Sequence, residues 1–276
     1  MSITKKHIEL FNEYGFVILK NLFNNNELND FRESLVFLIQ DALLKASKKY
    51  NEIISEDYID KELDEGIIKL EQLDYSFISD IYDMIPNIPS FMRLTSKQEL
   101  LECINIIFKR PANHPLFTFT NRCRIDPPRV TRRSTLWHQE IFYTIPKSEF
   151  IQTWGPLVRD ITKENGGIEV CIGSHKEGIV KQTYDDSKNS PTPFVVDDQL
   201  VDKYEKTTIE IKLGDIMIFS PKLFHRSGTN TSNHVRYTNI GMFHNIDFPT
   251  FRPPQPSLIY KTMTPIEYYN EVFQKI

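Results

Sequence analysis

His138 and Glu140 stand two residues apart in the run Trp137-His138-Gln139-Glu140, and His225 closes the run GDIMIFSPKLFH 85 residues further on. In a strand, side chains at i and i+2 face the same way. Read as a strand, this run projects His138 and Glu140 together and turns Gln139 to the other side. An imidazole and a carboxylate on one face supply two ligands for a divalent metal, and His225 supplies a third. Two histidines and one carboxylate make the facial triad of non-haem iron(II) sites, which leaves coordination positions open. His-x-Glu alone is common on surface strands. Arg236 adds weight: it follows His225 by eleven residues, beyond the turn at 228–233. On a neighbouring strand it could offer its planar fork to a carboxylate lying beside the metal. Without the triad, Arg236 reads as an ordinary surface arginine.

These side chains must be held by a scaffold, and the sequence changes texture to provide one. Over 1–114 it reads mainly as helix. Residues 3–14 are amphipathic and stop at Gly15, and a short strand follows over 15–20. Asn24 to Asn26 offer N-cap chemistry for a long helix from about Glu27, with Leu28, Phe31, Leu35, Leu38 and Ile39 at helical spacing. Further helices are predicted around 67–84 and 96–109, and Pro86 and Pro89 mark 85–95 as a loop. Over 115–248 the chain breaks into short β-rich runs, among them 134–145 around the metal motif, separated by Pro127-Pro128, Asn165-Gly166-Gly167 and Gly214-Asp215. Strands in such series predict a sandwich or barrel rather than a βαβ sheet. The polar stretch 176–206 reads as a long insertion loop, a candidate lid. The tail 249–276 is proline-rich before a short C-terminal helix. The whole reads as a single domain, mainly β with flanking helices.

Composition narrows the function class. The 276 residues are 40% hydrophobic and 25% charged, with a formal net charge of -4. That is an ordinary globular chain, and not a binder that neutralises a nucleic-acid backbone. Cys103, Cys123 and Cys171 are an odd count without CxxC spacing, so a disulfide framework or structural zinc is not expected and a cytoplasmic setting is. Neither a signal peptide nor an apolar run of membrane-spanning length is legible. The expected partner is a small molecule, not nucleic acid or a membrane.

Four blocks in order resemble the phytanoyl-CoA dioxygenase family of the iron(II)/2-oxoglutarate oxygenase superfamily. The strand GFVILK with its following helix resembles the family's opening, and WHQE its WHQD box. ENGGIEVCIGSHKEG resembles its N-G-x-x-x-x-x-P-G-S-H-K turn, and GDIMIFSPKLFHRSGTNTSNHVR its G-D-x-x-x-F-x-x-x-x-x-H-x-S-x-x-N segment with a trailing arginine. The resemblance implies a double-stranded β-helix core, of jelly-roll or cupin-like form, buttressed by the N-terminal helices. It implies iron(II) on His138, Glu140 and His225, with 2-oxoglutarate and dioxygen as co-substrates. Arg236 would pair with the distal carboxylate of 2-oxoglutarate, joined by the Ser227 hydroxyl, and Thr135 and Trp154 would line the co-substrate pocket. The implied reaction is hydroxylation with release of succinate and carbon dioxide, since family halogenases carry a small residue where Glu140 stands. Two departures are visible. The carboxylate is Glu140 where the family has Asp, and Ile172 replaces the usual proline. Two alternatives stand beside this reading: a cupin-like metalloenzyme that does not use 2-oxoglutarate, and a non-catalytic member of the family.

Arg122, Arg124, Arg129, Arg132 and Arg133 crowd into the twelve residues leading to the metal motif. They are either a solvated basic loop or a positive rim for an anionic substrate such as a carboxylate, phosphate or CoA ester. Arg122 and Arg124 share strand parity with Asp126, and together with Tyr143 they are the candidate substrate-binding residues. His175 reads as part of a structural turn, His234 as solvated and His244 as a core histidine.

Overall fold

Thr4 and Asn24 each open a helix through a reciprocal cap: the side chain accepts the N–H three residues on, and that residue bonds back to the cap. Helix α1 (Lys5–Tyr14) ends at Gly15 and hands over to β1 (Phe16–Leu19), and α2 (Asn25–Tyr50) buries Leu28, Phe31, Leu35 and Ile39 at the predicted spacing. The computed structural model describes residues 3–51, 62–185 and 191–254, with positions 267 and 270. The rest of the tail, where a short helix is expected, lies outside the described residues.

Helices α3 (Ile67–Leu73), α4 (Ser76–Met84) and α6 (Gln98–Ile107) fall where the sequence predicts them. Segment 85–95 is not a loop. It forms a 3-10 turn (Ile85–Asn87) and then α5 (Pro89–Thr95). Both prolines sit in first turns, where the missing N–H has no intrahelical partner to lose.

The β strands are β2 (Leu116–Thr118), β3 (Arg122–Asp126), β4 (Phe150–Pro156), β5 (Glu169–Cys171), β6 (Gln182–Tyr184), β7 (Phe194–Val196), β8 (Lys206–Thr208), β9 (Ile216–Phe219), β10 (His225–Arg226) and β11 (Arg236–Asn245). Among the described residues they form a large antiparallel sheet in the order β1-β9-β4-β11-β2, with β3 also on β11, and a small sheet in the order β10-β5-β8. One face of the large sheet packs Leu19, Ile125, Ile151, Ile218 and Tyr237 against the helices. The other face packs Trp154, Met217 and Phe219 against Ile168 and Val170 of the small-sheet side. Alternation along each strand sorts side chains between these two cores. The fold is therefore β-rich and antiparallel, with helices α1 to α6 on one side. No helix among the described residues is long and apolar enough to cross a membrane.

Two stretches differ from expectation. Residues 134–145 do not run as a strand: His138 makes an isolated bridge to His225, and Glu140–Phe142 form a 3-10 turn. Where 176–206 reads as a loop, the described residues hold the β6–β7 hairpin and the short helix α7 (Asp198–Val201), and 186–190 lie outside them.

His175 is structural. Its Nε2 contacts the Asn12 carbonyl at 3.1 Å, while Gly173 N–H donates to the Tyr14 carbonyl, so the Gly-Ser-His turn is clamped onto the corner between α1 and β1. Gly15 is required there twice over. Its φ is +86°, and a Cβ would lie 2.6 Å from His175 Nδ1 and 2.8 Å from Leu223 Cδ1. Gly15→Ala should therefore destabilise the protein by at least about 1 kcal/mol in urea unfolding. An unchanged midpoint would show that this corner carries no such constraint.

Candidate metal centre and its cavity

The metal motif is positioned by backbone pairing. His138 N–H donates to the His225 carbonyl and His225 N–H to the His138 carbonyl, each at 3.1 Å. A directly opposed pair of this kind places both side chains on the same face, and the ring centroids lie 4.2 Å apart. Gln139, between the two motif residues, has extended backbone and points away. It is fully buried, its Nε2 donating to the Gly178 and Lys222 carbonyls and its Oε1 accepting from Val180 N–H. The alternation expected of a strand thus holds locally, through three residues only. Glu140 is then fixed by its N–H on the Pro221 carbonyl at 2.9 Å.

The three side chains converge. Glu140 Oε2 lies 3.4 Å from His138 Nε2 and 3.7 Å from His225 Nε2, and all three ligand atoms fall within 4.8 Å of one another. Oxygen and imidazole ligands bind metals at about 2.0–2.2 Å. Oxygen and nitrogen separations below about 4.2 Å are therefore compatible with one shared ion. Each histidine Nδ1 faces a backbone carbonyl two residues earlier, Leu136 at 2.7 Å and Leu223 at 2.8 Å. Such a partner fixes the proton on Nδ1 and turns a bare Nε2 to the centre. Burial, followed by the His138 imidazole, lowers the pKa of His225, against the opposing pull of Glu140. Burial would raise the Glu140 carboxyl, yet the two imidazoles bring it down to about 2. A neutral imidazole and an ionised carboxylate are the ligand forms a metal requires. The donor set fits iron(II).

These ligands open into a cavity of about 580 Å³. Its walls include every expected site residue: Arg236, Ser227, Thr135, Trp154, Arg122, Arg124 and Tyr143. Thr135 and Ser227 are bonded to each other, with Ser227 N–H on Thr135 Oγ1 at 2.7 Å and the two hydroxyls 2.9 Å apart. Tyr143 stands edge-on to His138, its hydroxyl accepting from Phe194 N–H at 2.8 Å. Trp154 is buried in the core between the sheets.

Arg236 is 4% exposed and lies directly opposite Asp126 in the β3–β11 register. Its Nε and Nη2 donate to Asp126 Oδ2 at 3.3 and 2.9 Å, and Nη1 donates to the Gly228 carbonyl at 3.2 Å. Arg124 Nε meets both oxygens of the same carboxylate, at 2.9 and 3.0 Å. The Asn-Gly-Gly turn has a spatial reason: a Cβ on Gly166 would stand 2.5 Å from Arg236 Nη1, and one on Gly228 would stand 2.1 Å from the Gly167 carbonyl. Of the remaining histidines, His244 is a core residue beside Ser148 and Thr144. His234 is exposed, as expected, with Nδ1 2.9 Å from Asp64 Oδ2.

Sequence reasoning missed Ser79 and Tyr82, which α4 brings to the cavity, and Gln152 on β4. No spacing signal links α4 to the metal motif. Gln152 is 2% exposed, and its Oε1 has no partner among the described residues. A second cavity of about 890 Å³ carries none of His138, Glu140 and His225.

With this geometry in hand, comparison with known proteins is decisive at the level of family. A model of the phytanoyl-CoA dioxygenase family (PhyH) matches residues 11–238. The chain belongs to that family. It is 23% identical over 259 residues to the phytanoyl-CoA dioxygenase domain-containing protein 1 homolog of Dictyostelium discoideum, covering 86% of this chain and 89% of that one. Solved structures of similar fold include EctD from S. alaskensis in its apoform (TM-score 0.59, 17% identity, 91% of this chain and 82% of that one). The epimerase SnoN in complex with Fe3+, alpha ketoglutarate and nogalamycin RO is another (TM-score 0.58, 12% identity, 87% and 83%). The alpha ketoglutarate dependent carbocyclase SnoK from nogalamycin biosynthesis is a third (TM-score 0.55, 17% identity, 88% and 84%).

Two predictions follow from the geometry. His138→Ala or His225→Ala should lower iron(II) affinity by at least a hundredfold while leaving the far-ultraviolet circular dichroism unchanged; Glu140→Asp, one methylene shorter, should keep the metal with altered turnover. A hundredfold is about 2.7 kcal/mol, a modest price for one lost ligand. Undiminished iron binding in either histidine variant would remove the triad.

The second concerns acid stability. Burial opposes ionisation of Asp126, but Arg124 and Arg236 hold its carboxyl down to about 2. A depressed folded pKa contributes stability that is fully present above the unfolded value and lost as pH falls through the folded one. Wild type should therefore lose about 2 kcal/mol through this group between pH 5 and pH 2. Asp126→Asn should lack that component and start lower at pH 7, with two arginines left without their carboxylate. Parallel urea-stability curves for the two proteins would refute the assignment.

Proposed function

We propose that this protein is an iron(II)- and 2-oxoglutarate-dependent dioxygenase that hydroxylates a small anionic metabolite. The observation that carries the reading is the convergence of His138, Glu140 and His225 in a cavity whose wall also presents a buried Arg236. The two antiparallel sheets enclosing that cavity are read as a double-stranded β-helix, jelly-roll in form, within a single domain over 1–276. Its helical N-terminal part, 1–114, buttresses the core over 115–248. Three cysteines that are buried and unbridged favour a cytoplasmic setting. When bound, iron(II) and its keto-acid co-substrate would supply the oxidation of substrate by dioxygen, with succinate and carbon dioxide released.

The chain's own residues divide the remaining work. His138, Glu140 and His225 would hold the metal, and a set of only three protein ligands would leave room for the co-substrates. Arg236 has five N–H groups, and three are committed to Asp126 and Gly228. One N–H on each terminal nitrogen is left to grip the distal carboxylate of 2-oxoglutarate. Ser227 and Thr135 stand beside that position with hydroxyls that exchange their mutual bond for one to the ligand. Trp154 and Tyr143 wall the cavity and exclude water from the reacting carbon. The arginines of the facing wall favour a substrate bearing negative charge. Glu140 in place of Asp is accommodated, since its oxygen reaches both imidazoles.

Arg236 separates this reading from a metalloenzyme that does not use 2-oxoglutarate. Removing one partner of a buried charge pair costs roughly 2–5 kcal/mol. Arg236→Ala should thus weaken 2-oxoglutarate binding by more than about tenfold, while iron affinity holds. Arg236→Lys should recover only part, because an ammonium cannot make the planar two-point contact. The measurement is an anaerobic titration following the visible band of the iron–keto-acid chelate. Absence of that band in wild type, or equal affinity in Arg236→Ala, would turn the assignment toward a cupin-like metalloenzyme that does not use 2-oxoglutarate.

A further inference from the structure

The arginine cluster at 122–133 splits in two once folded. Arg129 leaves for the Asn233 side chain, and Arg132 pairs with Glu71 across the Tyr75 ring. Arg122, Arg124 and Arg133 line the cavity. Arg124 is spoken for, with Nε on Asp126 and Nη2 on the Arg133 carbonyl. Arg122 donates from Nε to the Thr120 carbonyl at 3.2 Å and from Nη1 to the Tyr82 hydroxyl at 3.1 Å. Arg133 is different. Its Nη2 has only a long contact to Ser79 Oγ, at 3.4 Å, and its Nη1 is buried with no partner among the described residues. No carboxylate of the described residues makes an ion pair with Arg122 or Arg133, although Asp83 lines the same cavity. Both guanidinium carbons lie within 6 Å of the Tyr82 ring centre, at 5.9 and 4.6 Å.

A buried guanidinium nitrogen without an acceptor is costly, and Arg133, which carries one, also lines the cavity; together these point to a ligand that supplies the acceptor. Arg122 stands four residues before Asp126, the partner of Arg236. At about 3.3 Å per residue the two ends of β3 are some 13 Å apart. An anion held at the Arg122 end therefore does not compete for the Arg236 end.

We propose that Arg133, with Arg122 and the Tyr82 ring, forms a subsite for the oxyanion terminus of the substrate, a carboxylate or a phosphate, at the end of the cavity away from Arg236. The inference rests on the oxygenase reading for what occupies the other end. The anion contacts themselves need neither metal nor co-substrate.

The test uses benzoate and phenyl phosphate, which share a ring and differ in the oxyanion. Each is titrated calorimetrically into the full chain, both metal-free and loaded anaerobically with iron(II) and 2-oxoglutarate. At least one probe should bind wild type in both states, and the tighter one identifies the terminus. Arg133→Ala should weaken it at least tenfold, Arg133→Lys should recover part, and the iron–keto-acid band should be unaltered in both. Arg122→Ala, checked by thermal unfolding alongside, should also weaken the probe and guards against a folding defect at position 133. If neither probe binds wild type, or if Arg133→Ala and Arg122→Ala bind as wild type does, the subsite is overturned. A wild type that lacks the chelate band yet loses metal-free probe binding on Arg133→Ala would sink the oxygenase reading and leave the subsite standing.

Discussion

Two backbone hydrogen bonds, between His138 and His225, are the constraint on which the site depends. The segment around His138 has no long strand of its own to hold it. Its position comes from this bridge, from Gln139 buried behind it, and from Glu140 N–H on the Pro221 carbonyl. β10 is in turn anchored by β5, with His225 opposite Val170, and β5 by β8. Ligands 87 residues apart in sequence thus become cross-strand neighbours, and their separation is set by sheet geometry rather than by side-chain adjustment. The carbonyls of Leu136 and Leu223 then settle each ring's rotation, so both candidate ligand nitrogens are already placed in the folded protein.

A second constraint is electrostatic and sits on the opposite wall. Arg236 is almost wholly buried, which an isolated cation would not tolerate. Asp126 makes it possible from the facing position on β3, and Arg124 closes around the same carboxylate. Two guanidinium groups on one carboxylate leave net positive charge facing the cavity. Pairing here does not neutralise the site. It holds a charged fork still, in a place where water cannot screen it. Gly166 and Gly228 are part of the same arrangement, because any side chain at either position would occupy space taken by Arg236 or by the backbone packed against it.

Legibility in the sequence followed how local each determinant is. Helix α2 was readable because its cap, Asn24, and its apolar spacing are contained in one stretch. The candidate metal ligands were readable because His138 and Glu140 alternate across Gln139 and the four blocks resemble a known family. The extended strand expected over 134–145 was not found, since pairing with the short β10 specifies only one bridge and leaves Glu140 free to begin a turn. The loop expected over 85–95 was a misreading of proline, which ends helices from inside but starts them at the first turn. Asp126 was placed on the correct face by parity, yet its role needed the register with β11, which no single stretch contains. Ser79 and Tyr82 had no signal at all. Their arrival at the cavity depends on how α4 lies against β3, a matter of tertiary packing.

Strand register also explains how one cavity can have chemically distinct regions. Along β11, Arg236, Thr238, Ile240 and Met242 share a face, and across from them β3 presents Asp126, Arg124 and Arg122. The polar pairing at Asp126 and Arg236 therefore grades into apolar wall at Ile240 and Met242, to which Phe219 and Ile168 add from other elements. Cations return at Arg122 on β3 and at Arg133 beyond it. A wall of this kind binds charge at its margins and keeps apolar surface between them, where little water can be held in place. Under the proposed oxygenase reading, such a wall would present a carbon–hydrogen bond without a competing solvent molecule, and it arises from alternation in two paired strands rather than from any one residue.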